Sequence, residues 1–269
     1  MYLTISTTHL PATDLGYLLH KSPGELHTVE LSFGKAHVFY PEASETRCTA
    51  SFLLEIGSVE LVRKPGGPPG EGGLLDQYVN DWPYVSSSFI SVALARAFGT
   101  GLVGRSKNRQ AIADSGMPLE VRIAVLPCRG GEAFLRKLFV PLGYQISARR
   151  LPLDDKFPDW GESRYWNVQL SATNRLQDVL QHLYVLLPVR DDEKHYWVGR
   201  DEIEKLLNKG KNWLSTHPER EEITRRYLKY QGYLTREALA RLSEEEDPDA
   251  EAEMHAAEEG SLEERISLN

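Results

Sequence analysis

Two kinds of hydrophobic periodicity alternate along the first 190 residues, and their order constrains the fold more than any single motif. In the first half, strand-like runs occupy residues 2–7, 28–33, 36–40 and 48–56, and helical spacing begins at Pro11 and at Phe89. In the second half, strand-like runs at residues 120–126, 144–151 and 165–171 alternate with helical runs at 132–140 and 176–187. Gly34 and Lys35 are expected to form a tight hairpin turn. The order predicts an α+β protein of two packed ferredoxin-like β-α-β-β-α units, residues 1–115 and 119–197.

The C-terminal part of the chain has a different pattern. Residues 198–242 have helical spacing, which predicts a helical segment after the two α+β units. From Glu244 to Arg265, eleven acidic side chains stand against one basic side chain, in a stretch with few apolar residues. Such a stretch cannot bury enough apolar surface to offset its conformational entropy. Residues 243–269 are therefore expected to be an acidic linker or tail.

Several protein classes are excluded by the rest of the composition. Without that tail the net charge is near zero although the whole chain carries −8, so no global basic surface calls for nucleic acid. No apolar run is long enough for a membrane span and the N-terminus lacks the features of a signal peptide, so we expect a cytoplasmic protein without membrane contact. Cys48 and Cys128 have no ligand-type neighbours and are expected to be buried apolar residues.

A glycine-rich segment, residues 99–106 (GTGLVGRS), matches two phosphate-binding patterns. Both patterns need a strand before the glycines and a helix after them, because the phosphate binds at a helix N-terminus. Here a helix precedes the glycines. The segment is therefore interpreted as the end of that helix followed by a flexible connector, and a Gly101→Val substitution would test the alternative of a nucleotide-dependent enzyme.

Basic and aromatic residues are the candidates for contact with a partner. Arg105, Lys107 and Arg109 follow the glycines and could bind phosphates or an acidic surface, or be an ordinary solvated loop. Large aromatic and basic side chains at other positions are the remaining candidates by residue type: Trp82, Tyr84, Lys194, His195, Tyr196 and Trp197. Trp197 could equally belong to the core. No spacing identifies a catalytic acid/base pair or a metal site.

Several segments together resemble a known family. They are residues 4–9 (TISTTH), 11–21 (PATDLGYLLHK), 31–42 (LSFGKAHVFYPE), 47–50 (RCTA), 78–81 (YVND), 127–131 (PCRGG), 157–161 (FPDWG) and 194–199 (KHYWVG). They resemble the N-terminal half of the bacterial 3′-terminal RNA ribose 2′-O-methyltransferase of the RNA-repair pathway, over residues 2 to about 242.

The resemblance implies a role as a protein partner. In that family the N-terminal half activates the ligase region of a polynucleotide kinase-phosphatase, enabling its adenylylation during repair of ribotoxin-cleaved RNA. S-adenosylmethionine and a divalent metal belong to the methyltransferase half, which this sequence does not contain. The chain alone is therefore expected to be non-catalytic and free of cofactors, and to form a hetero-oligomer with the ligase. An RNA-end-binding module is the alternative.

Overall fold

The computed structural model describes residues 1–57, 85–190, 200–228 and 231–246. The chain folds into two compact units, Met1–His195 and Tyr196–Asn269. The described part of the first unit contains seven strands: β1 (Tyr2–Thr7), β2 (His27–Leu31), β3 (Gly34–Ala43), β4 (Cys48–Ile56), β5 (Met117–Pro127), β6 (Gln145–Pro152) and β7 (Glu162–Asn174). Its helices are α1 (Asp14–Leu19), α2 (Val85–Leu102), α3 (Gln110–Ala113), α4 (Gly131–Phe139) and α5 (Leu176–Val189).

All seven strands belong to one antiparallel sheet with the order β2-β3-β4-β1-β5-β7-β6. The two halves of the first unit meet where β1 pairs with β5, with Ile5 opposite Val121. The predicted α+β class and the helical C-terminal part are confirmed. The ferredoxin-like description of each half and the predicted boundaries between segments stay predictions.

The period-2 alternation gives the sheet one apolar face and one polar face. Leu3 on β1 lies opposite Phe52 on β4 and Ile123 on β5, and all three side chains are buried. The ring of Phe98 on α2 lies 5.7 Å from that of Phe52, which places α2 over this apolar face. Helix α2 also packs against α5, where the Ser91 hydroxyl donates a hydrogen bond to a carbonyl of α5 at 2.7 Å.

The opposite face of the sheet carries polar side chains at alternate positions. Glu120 on β5 is the centre of a network there, with its carboxylate 3.2 Å from Arg47 Nη2 and 2.9 Å from Arg122 Nε. Gln169 Nε2 donates to the same carboxylate at 2.7 Å. Two guanidinium groups on one carboxylate leave one positive charge, which Glu42 offsets because its carboxylate lies 3.4 Å from Arg47 Nε.

The predicted β2–β3 turn was wrong by two residues, and helical structure extends beyond the predicted end of α2. The β2–β3 turn is formed by Ser32 and Phe33, and Gly34 already belongs to β3, paired with Leu31. The first helical stretch of α2 ends at a kink at Phe98 (φ −123°, ψ 28°), beside the predicted end at Gly99, and a further helical stretch continues to Leu102. A Cβ on Gly34 would lie 2.1 Å from the Glu55 carbonyl oxygen of β4, so the close approach of β4 favours a glycine within β3, which local propensity does not report.

The second unit is helical as predicted, with α6 (Asp201–Gly210), α7 (Arg220–Tyr227) and α8 (Gly232–Glu246) in its described part. Apolar side chains of all three helices are buried, among them Leu206, Ile223 and Ala238. Helix α8 extends into the predicted tail as far as Glu246, and residues 247–269 lie outside the described residues. Among the helices that the structure describes, none combines the length and the apolar character needed to cross a bilayer.

Both cysteines are buried, as predicted, and neither forms a disulfide bond in the part of the chain that the structure describes. Burial, with the negative charge of Glu42 as a second cause, raises the pKa of the Cys48 thiol to about 11. The thiolate is the reactive form. In the native chain at pH 8, Cys48 should therefore react with a thiol reagent about 100-fold more slowly than an exposed cysteine, in proportion to its smaller thiolate fraction.

A Cys128→Ser variant makes Cys48 the single reporter for this measurement, and the same variant in denaturant supplies the unprotected rate. Equal rates with and without denaturant would contradict the described burial of Cys48.

Candidate functional site

The glycine-rich segment ends α2 and does not begin a helix. After the kink at Phe98, the last helical stretch of α2 contains Gly99 and Gly101, and Gly104 follows it with φ +67°, a conformation that favours glycine. Gly104 N–H donates to the Gly101 carbonyl at 3.1 Å and Arg105 N–H to the Thr100 carbonyl at 3.2 Å, which together form a Schellman cap. The predicted helix cap is thus confirmed, one turn later than predicted. The negative end of the helix dipole lies here and disfavours an anion.

Gly101 has a packing role that the sequence pattern did not show. A Cβ at this position would lie 3.0 Å from Leu180 Cδ1 and 3.2 Å from the carbonyl oxygen of Leu18. A Gly101→Val substitution would therefore disturb helix packing whether or not a nucleotide binds. Gly99, where a Cβ would meet nothing within 4 Å, is the better position for testing the glycine pattern.

The loop between α2 and α3 is held by side-chain hydrogen bonds. Gln110 accepts a bond from the Ser106 N–H at 2.9 Å and donates one to the Gly104 carbonyl at 2.9 Å. His20, at the end of α1, contacts the Arg105 carbonyl through its Nε2 at 3.0 Å. The predicted connector is therefore anchored to α1 and α3, and the side chains it displays project from a braced backbone.

The three predicted cations of this loop have different surroundings. Arg105 and Lys107 are exposed and form no ion pair with any residue in the described ranges. Arg109 instead bonds the buried Asp14 carboxylate through Nε at 2.7 Å and lies 4.8 Å over the Tyr17 ring. The hydrogen bond and charge of Asp14 raise the pKa of Arg109. Arg109 therefore ties the loop to α1, whereas Arg105 and Lys107 can meet a partner.

Trp82, Tyr84, Lys194, His195, Tyr196 and Trp197 lie outside the described residues. They stay predictions from residue type.

A cluster of exposed apolar side chains occurs where sequence reasoning proposed no site, at the tip of the β6–β7 hairpin. Leu153, Phe157 and Trp160 are exposed to 60%, 51% and 61%. The two aromatic rings stack with centroids 4.8 Å apart and planes 15° from parallel. The segment 157–161 (FPDWG) contained a sequence signal, because its two aromatic residues flank a proline turn. The sequence of a turn does not indicate whether such rings are buried or exposed.

The described residues contain no group of three or more His, Cys, Asp or Glu side chains placed to hold a metal ion. The described residues instead provide two surfaces that could bind a partner. One is the α2–α3 loop with its two exposed cations, and the other is the apolar tip of the β6–β7 hairpin.

Comparison with protein families gives one decisive match. Residues 1–243 match the family model described as "RNA repair, ligase-Pnkp-associating, region of Hen1". The chain belongs to this Hen1 family. A search of curated proteins found no match.

One solved structure has a similar fold. The chain is similar to a chain of the structure described as the Pnkp1/Rnl/Hen1 complex, with 12% identity and a TM-score of 0.50, over 96% of this chain and 56% of that one. A second structure, of the Pnkp1/Rnl/Hen1 RNA repair complex, matches with 12% identity and a TM-score of 0.48, over 80% and 47%. The chain thus spans about half the length of the chains it matches.

Proposed function

We propose that this chain is a ligase-associating module that binds the ligase region of a bacterial polynucleotide kinase-phosphatase and raises its adenylylation during repair of ribotoxin-cleaved RNA. The observation that carries this proposal is the match of residues 1–243 to the ligase-Pnkp-associating region of Hen1. The proposed location is the cytoplasm. We assign S-adenosylmethionine and a divalent metal to the methyltransferase half of the family and not to residues 1–243.

Activation of the ligase requires that this chain bind two conformations of the ligase with different affinities. A bound module can raise adenylylation only if it binds the adenylylation-competent conformation of the ligase more tightly than the incompetent one. Equal affinity for both conformations would change nothing, however tight the complex. The contacts of this chain must therefore include ligase groups whose arrangement differs between the two conformations.

The direct test is adenylylation of the purified kinase-phosphatase-ligase protein with radiolabelled ATP, with and without this chain. A methyl-transfer reaction with S-adenosylmethionine and a 3′-hydroxyl RNA is run in parallel. Stimulated labelling of the partner without methyl transfer is the expected result. Binding without stimulation would reject activation and leave only association.

The exposed cations of the α2–α3 loop give a prediction for the affinity of the chain for its partner. An Arg105→Glu/Lys107→Glu double variant should weaken partner binding by roughly tenfold at low salt, because exposed charges at an interface steer association. The difference should shrink at about 0.5 M salt, where such charges are screened.

The matched control is an Arg149→Glu/Lys211→Glu variant, which makes the same change in net charge at two exposed cations on other elements. If both variants lose affinity equally, net charge and not the loop is responsible. Arg109 is unsuitable for this test because its loss would leave the buried Asp14 carboxylate without its cation.

The same two cations support a second candidate function, binding of RNA ends. Exposed Arg105 and Lys107 beside His20 line one surface depression, an arrangement that fits phosphate groups. A steep fall in affinity for a 3′-hydroxyl RNA between low and moderate salt, reduced in the Arg105→Glu/Lys107→Glu variant, would support it. RNA affinity that this variant leaves unchanged would reject it.

A further inference from the structure

The tip of the β6–β7 hairpin displays apolar surface in a way that ordinary solvent-exposed loops do not. Three large side chains, Leu153, Phe157 and Trp160, are each more than half exposed within eight positions of the chain. Scattered single apolar residues are normal on a surface, but a stacked pair of exposed aromatic rings in the same loop as a third exposed apolar residue points to an interaction site. Tryptophan in particular is enriched among the residues that dominate binding energy.

The backbone of this tip is already ordered without a partner. Leu153 N–H donates to the Gly161 carbonyl at 3.0 Å, and a short 3₁₀ helix, Pro158–Trp160, closes the turn. Within it, Trp160 N–H donates to the Phe157 carbonyl at 3.0 Å. Below the tip, the Ser163 hydroxyl donates to the Leu151 carbonyl at 2.8 Å. A preorganised tip loses little conformational entropy on binding, so more of its contact energy is available as affinity.

The charge around the tip indicates what kind of partner fits. Residues 153–162, the tip itself, contain four acidic side chains and one basic side chain, Lys156, whereas the exposed Arg149 and Arg164 lie on the strands behind it. Of the acids, Glu162 lies 3.4 Å from Arg150, whereas Asp155 and Asp159 form no ion pair with any residue within the described ranges. An acidic rim repels RNA phosphates and attracts Lys and Arg, so the complementary surface is a protein pocket with a basic rim.

We propose that this hairpin tip is an anchor that inserts Phe157, Trp160 and Leu153 into an apolar pocket with a basic rim on the ligase partner. The inference rests on the proposed function, because it takes the kinase-phosphatase-ligase protein as the partner. The rings supply the apolar contact, and Asp155 and Asp159 pair with cations at the edge of the pocket.

The anchor is separate from the basic loop between α2 and α3. The loop lies toward the start of β5, where Met117 pairs with Asn174, and the tip lies toward its end, where Pro127 pairs with Tyr165. Ten residues of antiparallel strand separate these ends by about 34 Å. Substitutions at the two places share no contacts and should therefore have additive effects on binding.

The experiment compares the affinity of full-length chains for the purified kinase-phosphatase-ligase protein by titration calorimetry. Trp160→Ala should raise the Kd by about 30-fold, as loss of an interface hot spot does. Trp160→Phe should recover most of the affinity. Asp155→Lys/Asp159→Lys should weaken binding more at low salt than at high salt.

The matched control is Tyr233→Ala, which removes another half-exposed aromatic side chain, on α8. At least half of each side chain is exposed, so neither variant should change the midpoint of thermal unfolding. This midpoint is measured before the affinities. If Tyr233→Ala weakens binding as much as Trp160→Ala does, the specific role of the tip is rejected.

The outcomes separate this inference from the proposed function. If the wild-type chain does not bind the partner at all, the proposed function fails. If the wild type binds and Trp160→Ala binds equally well, the anchor is rejected and the function stands. Loss of RNA binding, or of a dimer of this chain, in Trp160→Ala with partner affinity unchanged would also reject the anchor.

Discussion

A Phe98→Ala variant is expected to lose about 3–5 kcal/mol of unfolding free energy. Phe98 is 1% exposed and its ring lies 5.7 Å from that of Phe52, which is equally buried on β4. The substitution would remove the contact between α2 and the sheet and leave a cavity that the surrounding strands cannot close. Since a typical domain has only about 5–15 kcal/mol of stability, much of the chain could unfold at physiological temperature.

Urea unfolding followed by circular dichroism measures this loss. The control is Val92→Ala on the same helix, where the removed side chain is 46% exposed. That change should alter the unfolding free energy by no more than about 0.5 kcal/mol, since alanine also has the higher helix propensity. A loss below about 1 kcal/mol for Phe98→Ala would contradict the packing of α2 on β4.

A Gly34→Ala variant is the second substitution with a large expected effect, a loss of about 3 kcal/mol or more. Gly34 has φ +149°, and a Cβ there would lie 2.1 Å from the carbonyl oxygen of Glu55. That oxygen belongs to the backbone of β4, so no side-chain rotation can relieve the clash. The β3–β4 pairing must shift, or β3 must separate from its neighbour.

A Gly143→Ala variant measures the cost of a positive φ without a steric clash, and so separates the two causes of the expected loss at Gly34. Gly143 also has a positive φ, +84°, but a Cβ there would meet nothing within 4 Å. Its substitution should cost only about 1–2 kcal/mol of conformational strain. Thermal unfolding of both variants is the measurement, and equal losses would show that the β3–β4 approach is looser than described.

The candidate site was only partly predictable. Charge and local context predicted correctly that Arg105 and Lys107 would be exposed. They could not predict that Arg109 would pair with Asp14, because that partner is 95 positions away. The exposed stack of Phe157 and Trp160 was missed for a related reason: the aromatic content of a turn does not indicate whether its rings point inward or outward.

The strand and helix order followed from the sequence alone, because side-chain periodicity is local and strands alternate apolar and polar residues wherever they lie. Only the tertiary structure decided how the strands are arranged. β1 lies between β4 and β5, whose residues are more than 40 and 100 positions away, and this places both halves in one sheet. Such pairings depend on which apolar faces can be buried together under α2 and α5, a property of the whole chain that no local segment contains.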